Sequence, residues 1–228
     1  MPRAPAKTAP GGNVQAFLSR AKTLRRFSAG RARLLFAIDA TASRQPTWDL
    51  ACELQADMFP SSADVGSLAV QLAFYRGLGE LHFDDWQGDA QALAERMSRV
   101  SCAAGRTQIG RLLSVALKRQ SSAAARALVF IGDAVEEAPG PLEELAGRCR
   151  IHSLPLFLFQ EGDDPSVRRV FENLARISGG AYSRFDAGSA ARLRELLGAV
   201  ARYAAGGRAA LESSSSPGAR LLLEQLRG

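Results

Sequence analysis

Lysine, histidine and cysteine are all scarce in this 228-residue chain, and each shortage closes off a class of function. The three cysteines, Cys52, Cys102 and Cys149, are odd in number and show no C-x-x-C spacing, so neither a disulfide framework nor a zinc site is expected. They read as small residues, buried or partly buried. The two histidines, His82 and His152, stand far apart and read as structural rather than metal-ligating. No G-x-x-x-x-G-K-[ST] loop is present, and the Gly105 to Gly110 stretch lacks the glycine pattern of a dinucleotide fold. No stretch approaches the roughly 18 apolar residues of a membrane span, and the Pro, Ala and Gly-rich start lacks the apolar centre of a signal peptide. A cytoplasmic protein is the expectation.

Basic residues are not scarce, but they are unevenly placed. Eight of them precede the first acidic residue, Asp39, so residues 1–33 carry +8 and the remainder carries −2 of the overall +6. The basicity belongs to an N-terminal arm, and the rest is near neutral. Within the arm, Val14, Phe17, Leu18, Ala21 and Leu24 recur at helical spacing, which predicts an amphipathic helix over residues 14–27.

The chain is organised around Leu34-Leu35-Phe36-Ala37-Ile38-Asp39-Ala40-Thr41-Ala42-Ser43. A short apolar run suits a strand buried on both faces of a parallel sheet. At its end, Asp39, Thr41 and Ser43 alternate, which lets a carboxylate and two hydroxyls converge from a tight loop. Hard oxygens on one point suggest Mg²⁺, Mn²⁺ or Ca²⁺ rather than zinc. The run Ala127 to Ile131, followed by Gly132-Asp133, repeats the design, and Gly105-Arg106-Thr107 lies between them.

With these residues in view, the chain resembles the von Willebrand factor type A domain, of the bacterial intracellular type, with its metal-ion-dependent adhesion site. The family's D-x-S-x-S, later Thr and later Asp correspond here to Asp39, Thr41, Ser43, Thr107 and Asp133. Thr41 stands where the family usually has Ser and keeps the hydroxyl. The passage from Leu174 through Ser178-Gly179-Gly180 to Tyr182 resembles the family's helix-to-last-strand join, and the likeness runs over roughly residues 33–200. The resemblance implies hydroxyls that bind the ion directly, one or both Asp residues acting through water, and a remaining position that a partner protein's carboxylate can take.

Coarse patterning agrees with an α/β, doubly wound, Rossmann-like three-layer sandwich whose central sheet is mostly parallel with one antiparallel edge strand. The edge strand is expected at Leu81-His82-Phe83 after the Gly77-Leu78-Gly79 turn. Helices are expected from Pro46 to the Pro60-Ser61-Ser62 stop, over Ile109 to Leu117, and over residues 141–150, 167–177 and 189–203. The domains read as a basic arm over residues 1–32, a type A-like domain over 33–205, and a Ser-rich linker with a short helix or tail over 206–228. In such a sheet ligands bind beyond the carboxyl ends of the strands where chain order reverses, and Asp39 and Asp133 sit at two such ends.

The function this implies is a non-catalytic protein-protein interaction module. It would bind an acidic residue of a partner protein through Mg²⁺ or Mn²⁺ at this site and assist complex assembly. A haloacid-dehalogenase-like phosphatase also carries an Asp after its first strand. It needs a second Asp where Thr41 stands and a lysine further on, and Lys118 is the one lysine after Lys22. A metal-free scaffold, or a nucleic-acid-associated module using the basic arm, is the alternative reading.

Overall fold

The computed structural model describes residues 31–42, 45–120, 124–185 and 190–226. The basic arm, its expected helix over residues 14–27, and Ser43 lie outside the described residues.

Among the described residues six strands make one sheet: β1 (Ala32–Asp39), β2 (Leu68–Arg76), β3 (Glu80–Gln87), β4 (Ala127–Gly132), β5 (Leu156–Glu161) and β6 (Ala181–Phe185). Their order is β3-β2-β1-β4-β5-β6. Every pairing is parallel except that of β2 with β3, which closes one edge as an antiparallel hairpin. The mostly parallel, doubly wound sheet with its antiparallel edge is the architecture the sequence predicts.

Side chains along the central strands divide with the period of two that a pleated strand imposes. Leu34, Phe36 and Ile38 of β1, Val129 and Ile131 of β4, and Phe157 and Phe159 of β5 face one layer of helices. Leu35, Ala37, Leu128, Phe130, Leu156 and Leu158 face the other. The first layer holds α1 (Gln45–Leu54), α2 (Ala90–Met97), α6 (Ala190–Glu212) and α7 (Pro217–Gln225). The second holds α3 (Ile109–Arg119), α4 (Pro139–Ile151) and α5 (Pro165–Ser178). With both faces covered, the central strands need no polar alternation, and so they read as continuous apolar runs.

Local chemistry sets the helix ends. Asp164 begins α5 by accepting from the N–H groups of Ser166 and Val167, and Gly179 ends it in the left-handed region at φ 78°. Two ends differ from the sequence expectation. The first helix tightens into 3-10 turns at Gln55–Met58, and Pro60 opens another such turn instead of stopping the chain; a Pro at the first turn lacks only an N–H that would be unpaired there anyway. Helix α6 runs past Tyr203 and bends at Gly207, whose φ of 69° lets the chain break and resume.

The Ser213 to Ser216 stretch forms the corner between α6 and α7, with the Ser216 hydroxyl accepting from Ala219 N at 3.2 Å. Ala219 and Leu222 of α7 are fully buried against α6 and the sheet. At the far edge, the side-chain amide of Gln225 accepts from Tyr182 N at 2.7 Å and donates to Tyr182 O at 2.6 Å.

Candidate metal centre

The chain order reverses between β1 and β4, which lie side by side with Ile38 opposite Ile131. The next residues of each strand therefore emerge together at the carboxyl edge, and they include Asp39 and Asp133. Asp39 is 1% exposed. Its Oδ1 accepts from Thr41 N at 2.8 Å, and its Oδ2 accepts from the Tyr75 hydroxyl at 3.1 Å. Burial pushes its carboxyl above the usual range, and the negative Asp133 adds to the rise; the backbone and hydroxyl of Thr41 and the hydroxyl of Tyr75 oppose it.

Tyr75 was not among the sequence candidates. It lies on β2 directly across from Asp39 in the parallel register and is fully buried. Burial, with the negative Asp39 next, drives its phenol well above the ordinary value, so it remains a proton donor.

Thr107 reaches the same place from the loop before α3, and the fit of that loop depends on Gly105. A Cβ at Gly105 would fall 2.1 Å from the Gly77 carbonyl oxygen, so only glycine lets the loop lie against the β2–β3 turn. Arg106 N donates to Gly77 O at 3.2 Å, and Ala103 N donates to Ala40 O at 3.0 Å. These bonds tie the loop to the hairpin on one side and to the end of β1 on the other.

Across from the loop, the chain after β4 supplies two further carboxylates. Thr107 N donates to Glu136 Oε2 at 3.0 Å, while Glu136 N donates to Thr107 Oγ1, also at 3.0 Å. The Glu137 carboxylate accepts from Ile109 N at 3.0 Å and Gly110 N at 2.7 Å. Those are unpaired amides of the first turn of α3, so Glu137 caps that helix from another segment. Neither Glu was a sequence candidate. The signal was the acidic pair close behind Asp133, but their partners are nearly thirty positions upstream.

Asp39, Thr41, Thr107, Asp133 and Glu136 line one cleft of about 260 Å³, walled also by small residues such as Ala104 and Gly105. The sequence-predicted Asp39, Thr41, Thr107 and Asp133 are thus brought together, and Ser43 lies outside the described residues. His82 stacks on Phe74 with ring centroids 5.2 Å apart, and His152 follows the last turn of α4; neither lines the cleft. Cys149 is buried, and Cys52 and Cys102 are partly so.

The donor set fits a hard divalent cation. The polar side chains among the described lining residues are all carboxylates or hydroxyls, and a threonine hydroxyl has lone pairs to offer a cation. Among the described residues no three Asp, Glu, His or Cys side chains converge as a ready-made cage. A cation here would depend on the threonine hydroxyls together with the two aspartates.

No protein-family model matches the sequence, and no curated protein is significantly similar to it. Solved structures are similar in fold. The VWA domain of SpRpn10 is 11% identical with a TM-score of 0.55, over 70% of this chain and 90% of that one. An aerotolerance-related membrane protein from Bacteroides fragilis is 16% identical with a TM-score of 0.57, over 74% of this chain and 96% of that one. Proximal thread matrix protein 1 from the mussel byssus, in a structure with a zinc-occupied MIDAS motif, is 15% identical with a TM-score of 0.56, over 78% of this chain and 46% of that one. At such identities the likeness is one of fold, and that fold is the von Willebrand factor type A domain. No helix among the described residues is long and apolar enough to cross a membrane.

Proposed function

We propose that this chain, folded as a von Willebrand factor type A domain, is a non-catalytic interaction module that grips an acidic residue of a partner protein through a divalent cation. The ligand set is Asp39, Thr41, Ser43, Thr107 and Asp133, the ion is Mg²⁺ or Mn²⁺, and the setting is cytoplasmic. The observation that carries the reading is the buried Asp39 carboxylate, which shares the cleft with Asp133 and takes hydrogen bonds from two neutral donors, Thr41 N and the Tyr75 hydroxyl. Burying a carboxylate is costly, and a second carboxylate at the same site raises that cost. A divalent cation would offset both penalties, and when bound it would supply a Lewis acid for an outside carboxylate.

The residues divide the remaining work. Thr41 N and Tyr75 hold the Asp39 carboxylate still, and the pairing of Thr107 with Glu136 holds the Thr107 hydroxyl at the wall of the cleft. Among the described residues these contacts bind and orient, which supports recognition and assistance of complex assembly.

Calorimetric titration with Mg²⁺ and with Mn²⁺ tests the reading, using the wild type and an Asp39→Ala, Asp133→Ala double variant shown to be folded by circular dichroism. Saturable binding by the wild type and none by the variant is the expected result. Absence of uptake by the wild type at millimolar ion would remove the metal from the reading and leave a metal-free scaffold.

A further inference from the structure

Among the described residues Glu136 is the one carboxylate of the cleft wall that the five-residue ligand set leaves out. Its Oε2 takes the Thr107 amide and its own N–H bonds the Thr107 hydroxyl, so its charge is pinned beside one of the expected ligands. With Asp39 and Asp133 it makes three carboxylates among the described lining residues.

We propose that Glu136 is a specificity-determining residue of the cleft, whose fixed charge tightens cation binding and weakens the hold on an outside carboxylate. This rests on the metal reading above. Glu136 acts here through charge and through Thr107, since its carboxylate does not join a cage with the other two. At separations of a few ångströms in a partly buried site, one such charge is worth about a tenfold change in affinity. The partner such a cleft selects is one whose acidic residue comes with further contacts, because a lone carboxylate also meets the charge of Glu136. Binding then stays reversible and depends on the surrounding surface.

The test uses the full chain and Glu136→Gln, which keeps an oxygen to accept from Thr107 N and removes the charge alone. Mn²⁺ affinity is read by electron paramagnetic resonance. Carboxylate affinity is read from the broadening of the acetate methyl signal by the Mn²⁺-loaded protein. The variant is expected to bind Mn²⁺ about tenfold more weakly and, once loaded, to bind acetate several-fold more tightly. If either affinity equals that of the wild type, Glu136 serves only to brace Thr107 and the proposal is overturned. Asp39→Asn, run in parallel, separates the two ideas. Mn²⁺ binding lost in that variant but unchanged in Glu136→Gln sinks the charge proposal alone, and no Mn²⁺ binding by the wild type sinks the metal reading and this proposal with it.

Discussion

The Tyr75 hydroxyl donates to Oδ2 of Asp39 at 3.1 Å, joining the ends of two neighbouring parallel strands through side chains 36 positions apart. The phenol packs on Phe130 at 6.1 Å between ring centroids, and Phe130 meets Phe171 edge-on at 5.8 Å. A candidate ligand at the rim is thereby anchored to the aromatic core below it.

Tyr75→Phe removes that donor and keeps the ring. Leaving the buried Asp39 oxygen one partner short should destabilise the protein by about 1–2 kcal/mol in metal-free buffer. Urea denaturation with a chelator present measures it, and an unchanged midpoint would show that the bond holds nothing in place.

The raised pKa of Asp39 makes a pH prediction of definite sign. The folded protein keeps this proton to higher pH than the unfolded chain, in which Asp titrates near about 3.9. The group's contribution to stability is therefore fully present below that value and is lost as pH rises through the raised folded value. Asp39→Asn, a neutral isostere, should be the more stable protein at neutral pH without metal, by about 1 kcal/mol. The two should converge in acid. Thermal melts from pH 3 to pH 8 follow the difference, and equal stability across that range would show that the buried charge carries no penalty.

Adding a divalent cation should reverse that ranking. Whatever binds the folded state alone stabilises it by mass action, so millimolar Mn²⁺ should raise the wild-type melting temperature and leave Asp39→Asn unmoved. A residue that lowers stability when the cleft is bare and raises it when the cleft is filled is serving function before folding.

Gly105→Ala would place a methyl against the Gly77 carbonyl. Backbone cannot yield as a side-chain tip does, so the loop must shift, at a cost of about 1–3 kcal/mol. Mn²⁺ affinity should fall as well, because Thr107 moves with the loop. Normal Mn²⁺ affinity in a destabilised variant would mean that the loop reaches Thr107's position by another path.

Glu137→Ala should cost about 1–2 kcal/mol, since it uncovers the amides of Ile109 and Gly110 at the start of α3. Amide hydrogen exchange localises the effect, and the expectation is faster exchange at those two positions with β5 and β6 unaffected.

The parts of this fold that were legible in the sequence are those that repeat over short distances. The apolar runs ending in Asp39 and Asp133, the stripe from Ile109 to Leu117 and the hairpin after Gly77 each declare themselves within a dozen residues. Pro60 and Gly207 were harder, because a residue that breaks an α-helix can equally open a 3-10 turn or bend a helix that then continues. At the cleft, Asp39, Thr41, Thr107 and Asp133 belong to a spaced pattern and could be named in advance. Tyr75 and Glu136 could not. Each acquires its role from a neighbour that only strand register or loop crossing supplies, and nothing in the residues next to them marks it.

The pairing of Gln225 with Tyr182 bears on the outer edge of the sheet at β6. A sheet's outer strand is a template, and its bare N–H and C=O groups invite another strand to add itself, then another. Here one side-chain amide fills a donor and an acceptor of β6 as an incoming backbone would. Helix α7 thereby occupies part of the β6 edge, at the opposite side of the sheet from the antiparallel hairpin.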